Sequence, residues 1–189
     1  MSWKILCPKA KCKDLKMSTF ETVDLINKEH WNSVLNSNNI FLTLDYLKAL
    51  ENAMHESMAF KYLIFYNDKL KPVSIAVVQI MEINNEHIDI QSYLSGLGET
   101  ITKNILDVGT MRLMVCGNIF TTGENGFHYT DDVDGKIAFD NLSKGLYKLR
   151  QSEEENGKIS FLLLKEFFQN SLKASTQLEK SNFRNFEID

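Results

Sequence analysis

The run Pro72-Val73-Ser74-Ile75-Ala76-Val77-Val78-Gln79-Ile80-Met81-Glu82-Ile83 constrains this chain more than any other segment. Side chains along a strand alternate between two faces, and Val and Ile fall on both parities here. A strand that is apolar on both faces needs cover on both, as in the middle of a layered α/β protein. Phe60-Lys61-Tyr62-Leu63-Ile64-Phe65-Tyr66 precedes it, with the aromatic and aliphatic content that strands favour. Asn67-Asp68-Lys69 between them is turn chemistry, so the two runs predict a hairpin.

Further strands are expected at Glu86–Tyr93, Met111–Cys116, Ile159–Leu164 and Phe183–Ile188. Helices are expected around them. Ser18-Thr19-Phe20-Glu21 is a capping-box pattern opening a helix over Thr19–Leu35. Thr43 caps a second, in which Leu47, Leu50 and Met54 share a stripe. A short helix is expected over Glu99–Asp107 after the Gly96-Leu97-Gly98 break. Phe139, Leu142, Leu146 and Leu149 define one over Lys136–Gln151, and another follows over Phe168–Lys180. Gly145 weakens its helix by about 1 kcal/mol relative to Ala unless something packs closely there. The early strands form an antiparallel meander, and the βαβαβ second half implies parallel pairing. The expected fold is a single mixed α/β sheet with helices on both faces.

The chain has 189 residues, 43% hydrophobic and 24% charged, enough to bury a core without disulfides or metals. Its net charge is −4, which argues against a nucleic-acid duplex as partner. The basic side chains Lys4, Lys9, Lys11, Lys13 and Lys16 gather in residues 1–17, an arm or an edge strand, and the main domain spans 18–189. No apolar run approaches the ~20 residues of a membrane helix, so no membrane insertion is expected. Cys7, Cys12 and Cys116 are too few and too odd in number for a disulfide framework, and reduced thiols point to the cytoplasm.

The order of elements resembles the GNAT acyltransferase fold. Phe41-Leu42-Thr43-Leu44-Asp45-Tyr46-Leu47-Lys48-Ala49-Leu50-Glu51, with Trp31, and Met111-Arg112-Leu113-Met114-Val115-Cys116-Gly117-Asn118 resemble the N-terminal halves of Fem-type, peptidoglycan-biosynthesis acyltransferases. Those proteins carry two GNAT-like halves in tandem. The resemblance implies N-acyl transfer from an acyl-CoA or aminoacyl donor to a small-molecule or peptide amine acceptor, with a second GNAT-like half as partner and no permanently bound cofactor. An N-terminal half of this kind would serve the acceptor. The family's donor signature, Gln or Arg followed after two residues by Gly-x-Gly or Gly-x-Ala, is not kept. Gly96-Leu97-Gly98 has the glycine spacing, but Tyr93 stands in the Gln/Arg place. The alternative is a non-catalytic ligand- or partner-binding module on a degenerate GNAT fold.

The connection after Met111–Cys116 is long and glycine-rich, and long connections often carry function. Glu124 and His128 are its candidate general bases, since either can be tuned toward neutral pH. Gly117, Asn118, Thr121, Thr122, Gly123 and Gly126 are candidate donor- or cofactor-binding positions, because glycine lets backbone approach a ligand. A surface Ω-like loop is the competing expectation. Asp131-Asp132-Val133-Asp134-Gly135 suggests calcium, but an EF-hand register puts Asn141 where a bidentate Glu is needed. A helix-capping acidic turn is expected instead, and no metal. Cys116 ends an apolar strand and should be buried and inert. His30 and His55 are structural or exposed, and His87 lies in a polar turn.

Overall fold

A computed structural model describes residues 14–35, 38–83, 111–167 and 169–185. The chain is a mixed α/β protein built on one mixed sheet. Its strands are β1 (Lys16–Phe20), β2 (Met58–Tyr66), β3 (Pro72–Ile83), β4 (Met111–Cys116), β5 (Phe127–Tyr129) and β6 (Ile159–Leu164). They lie in the order β1-β2-β3-β4-β6, with β5 also on β3. The first four pair antiparallel, and β4 pairs β6 in parallel. Four α-helices accompany them among the described residues: α1 (Lys28–Val34), α2 (Leu44–Met54), α3 (Gly135–Ser152) and α4 (Gln169–Ser175).

β3 carries the fold, as its composition requires. Odd positions Ile75, Val77, Met81 and Ile83 join Tyr62, Ile64, Leu113 and Val115 in a core with Trp31, Leu42 and Leu47 of the α1–α2 side. Even positions Ala76, Val78 and Ile80 join Leu63, Phe65 and Met114 in a second core with Ala138, Phe139, Leu142 and Leu146 of α3. Helices therefore cover both faces. The Trp31 indole, wholly buried, donates to the Leu42 carbonyl at 2.8 Å, which ties α1 to the segment before α2. Thr43 caps α2 through a 3.4 Å contact from the Tyr46 amide. The β2–β3 turn is held by Asn67, whose Oδ1 accepts from the amides of Lys69 and Lys71 at 3.0 and 3.1 Å. Gly145 of α3 has the close neighbours that justify it, since a Cβ there would lie 2.7 Å from Met17 Sδ and 2.9 Å from Phe65 Cζ.

One expected element fails, and a second is not formed over its described part. No single helix runs over Thr19–Leu35; only its last part, Lys28–Val34, is α-helical. Lys16–Phe20 forms β1 against Tyr62–Tyr66, and a 3-10 turn over Val23–Leu25 and α1 follow, capped by Thr22 and Asn27. The ladder overrides the local capping-box preference, because it pairs the backbone and sets Phe20 and Met17, both partly buried, against the two cores. Glu21 does not reach back to the helix start; its carboxylate lies 2.7 Å from Lys61 Nζ. The expected last strand, Phe183–Ile188, is not formed at Phe183–Asn185. A 3-10 stretch over Thr176–Ser181 ends on Asn182 with φ +64°, and the Phe183 ring turns onto Tyr147. That left-handed cap redirects the chain. The described residues thus hold one parallel unit, β4–α3–β6, rather than a full βαβαβ. Residues 1–13, 84–110 and 186–189, with Cys7, Cys12, Glu86–Tyr93, His87, Gly96–Gly98 and Glu99–Asp107, lie outside the described residues.

Candidate functional site

β4 covers only part of the β3 edge. Its last pair is Cys116 opposite Val78, and β5 takes up the same edge at Ala76 opposite Phe127. Val77 sits at the junction. It accepts from the Gly117 amide at 3.1 Å and donates to the Gly126 carbonyl at 2.8 Å. The loop of residues 118–125 thus leaves and re-enters the sheet at one point. The closure needs glycine, since a Cβ on Gly126 would lie 2.4 Å from Gly117 Cα.

Most of the loop's polar groups are met by the chain itself. Asn118, buried, accepts from the Phe120 amide at 3.0 Å and donates to the Tyr46 hydroxyl at 2.9 Å. Gln79 of β3 accepts from the Ile119 amide at 3.0 Å. Asn125 donates its side-chain amide to Thr121 Oγ1 and the Thr122 carbonyl, at 3.0 and 2.7 Å. Thr122 itself is exposed.

The carboxyl end of β6 runs past this loop. The Lys165 amide extends the parallel ladder by donating to the Cys116 carbonyl at 2.9 Å. Lys165 Nζ donates to the carbonyls of Asn118 and Thr121, at 3.2 and 2.5 Å. The Glu166 carboxylate accepts from the Gly123 amide. Lys165 can lie so close because Gly117 has no side chain: a Cβ there would meet Lys165 Cβ at 2.7 Å. Sequence reasoning singled out neither Lys165 nor Glu166. Their one signal was position, directly after an apolar parallel strand, where α/β folds place ligands.

Glu124 and His128 are brought into electrostatic reach of each other. The Glu124 carboxylate accepts from Ser171 Oγ of α4 at 3.0 Å, and its carbonyl accepts from Asn39 at 3.1 Å. His128, on β5 opposite Ile75, is partly buried. Burial pushes its imidazole below the ordinary value, while the carboxylates of Glu124 and Asp131 pull the other way. A neutral imidazole at pH 7 is the form a general base needs. Ser171 gives its proton to a carboxylate, which is not the hydroxyl-to-imidazole order of a nucleophile relay.

Neighbouring candidates settle into structural roles. Burial drives the Cys116 thiol up to about 12, so it is inert at neutral pH. Asp134 caps α3 by accepting from the Lys136 amide at 2.9 Å, and Asp132 pairs with Lys71 at 2.5 Å. Among the described residues no cluster of three or more His, Cys, Asp or Glu is placed to hold a metal ion, and no helix is long and apolar enough to cross a membrane.

Family models, curated proteins and solved structures return no match to this chain. The site is therefore read from its own geometry.

A second polar cluster lies toward the amino ends of β4 and β6. Glu153, only 3% exposed, follows α3 and faces Lys61 Nζ at 2.8 Å and Arg112 NH2 at 2.9 Å. Arg112 also donates to the carbonyls of Glu153 and Gly157, at 3.2 and 2.9 Å. Burial alone would raise the Glu153 carboxyl, but bonds from Lys61, Arg112 and Asn156 hold it below the usual carboxylate range. Glu51 of α2 is treated alike: burial opposes its charge, and Thr22, the Val23 amide, Tyr62 and Lys48 overcome it. Both carboxylates are held by several partners from neighbouring elements, so these clusters clamp helices to the sheet rather than offer a seat.

Proposed function

We propose that the chain is a GNAT-like N-acyltransferase domain that passes an acyl or aminoacyl group to an amine, and that its own loop serves the amine acceptor. One observation carries the choice of acceptor over donor. The loop presents two carbonyl oxygens to an ammonium, that of Lys165. Carbonyls favour a cation, whereas a donor's pyrophosphate needs open N–H groups. The amides of Ile119, Phe120, Gly123 and Asn125 already have acceptors. The donor would come from a second GNAT-like half, and the reaction would run in the cytoplasm.

In that mechanism the amine loses a proton and attacks the donor carbonyl, and the donor's C–S or ester C–O bond breaks as the amide forms, the thiol or hydroxyl leaving with a proton. His128, held neutral by burial, takes the proton. Positioning supplies most of the rate. The competing reading is a non-catalytic partner-binding module. It is favoured by the same filled loop and by the departure from the donor signature.

Thermal shift and turnover separate the two. Acetyl-CoA alone should not shift the melting temperature, because a ligand at a hundred times its Kd would add about 2.7 kcal/mol. Acyl transfer to a primary amine, measured with acyl-CoA and aminoacyl-ester donors on the full-length protein, should fall at least tenfold in His128→Asn. Absence of transfer with every donor would leave the binding module. A large shift with acetyl-CoA would overturn the acceptor assignment.

A further inference from the structure

The Lys165–Glu166 pair occupies the loop as a ligand would. Two loop carbonyls hold its ammonium and one loop amide holds its carboxylate, with Lys165 Nζ and Glu166 Oε1 3.5 Å apart. The loop's backbone is thus complementary to a positive and a negative group side by side. The occupant is held on strained backbone. Glu166 takes φ +48°, the left-handed region that side chains other than Asn and Asp seldom adopt. Such strain persists where surrounding contacts hold it, and it concentrates at switching sites. Both side chains keep solvent access, 18% for Lys165 and 23% for Glu166. By contrast the loop's base is fixed by the Gly117–Gly126 closure on Val77, so vacating the pair leaves the seat standing.

We propose that Lys165 and Glu166 are an intramolecular stand-in for a zwitterionic ligand, an amine that carries a carboxylate such as a free α-amino acid. The ligand's ammonium replaces Lys165 on the carbonyls of Asn118 and Thr121, and its carboxylate replaces Glu166 on the Gly123 amide. The chain is then closed to single-charge ligands and opens to one that supplies both charges. This rests on the acceptor reading above and names the acceptor's class.

The experiment is an NMR titration of the protein with glycine, using ethylamine and acetate as single-charge controls, with no acyl donor present. Glycine should move the amide signals of Thr121 and Gly123 and leave Val77 in place. The double variant Lys165→Met/Glu166→Gln should bind glycine at least tenfold tighter than the natural chain, because the internal competitor is gone. Ethylamine and acetate should gain less. Unmoved signals in the natural chain together with no gain in the variant would overturn the proposal and make the pair a strut. If the variant does not fold, the natural chain decides alone: equal shifts with ethylamine and glycine, or none with glycine, would overturn it. Because no donor is present, acyl transfer to other amines with no glycine binding would sink this inference and keep the function. Glycine binding without turnover would keep this inference and remove the catalysis.

Discussion

The two ends of the β4–β6 pair use charge in opposite ways. At the amino end, Glu153 is buried and meets Lys61 and Arg112 side chain to side chain. At the carboxyl end, Lys165 and Glu166 stay near solvent and meet backbone groups of a loop. Removing Glu153 from the first strips the mostly buried Arg112 of its carboxylate and leaves Lys61 with Glu21 alone. Removing a member of the second leaves neutral backbone groups, not a charge, without a partner. The first is a clamp and the second is an exchangeable contact.

The sharpest way to break this contrast is Glu153→Ala. It leaves Lys61 and Arg112 facing each other and should cost about 3–5 kcal/mol by urea denaturation. A loss below about 1 kcal/mol would show that the amino end is no clamp. Next in size is Gly126→Ala, which forces a methyl group against Gly117 and should cost about 1–3 kcal/mol. Amide exchange at Val77 should speed up with it, and unchanged exchange would mean the closure is elsewhere.

Acid should separate the ends again. Glu153 is more acidic folded than unfolded, so its contribution is full above the unfolded carboxylate value and is lost as pH falls through the folded one. The native chain should lose stability below about pH 4.5, and Glu153→Gln should flatten that fall. His128 is also depressed when folded, so the unfolded state binds its proton first. Stability should therefore dip as pH drops below about 6.5, and His128→Asn should remove the dip. The smallest effect is expected for Lys165→Met, under about 1 kcal/mol in the same assay. A cost as large as that of Glu153→Ala would erase the distinction.

Much of the sheet was legible in the sequence, because its strands are apolar on both faces and nothing local competes. Pro72–Ile83, Met111–Cys116 and Ile159–Leu164 have the bounds expected of them. β1 was not legible. Lys16–Phe20 is short and half-polar, and only its partner Tyr62–Tyr66 makes it a strand. The capping-box residues Ser18 and Glu21 mimic a helix start that tertiary pairing overrules. At the site, the Gly117–Tyr129 segment could be chosen for its length and glycines, and the Glu124 carboxylate lies within electrostatic reach of His128 there. Lys165 and Glu166 could not be found that way. Their role depends on parallel pairing of β6 with β4, a contact between segments far apart in sequence.

The glycine closure at Val77 has a consequence for how such a chain can change. The segment between Gly117 and Gly126 is closed at its base on Val77 of β3, with the β3–β4 pairs on one side of that closure and the β3–β5 pairs on the other. The closure separates the length of the segment from the register of the strands that flank it. Residues 118–125 could be lengthened, shortened or replaced across generations, altering what is held at the sheet's rim while the framework below keeps its register.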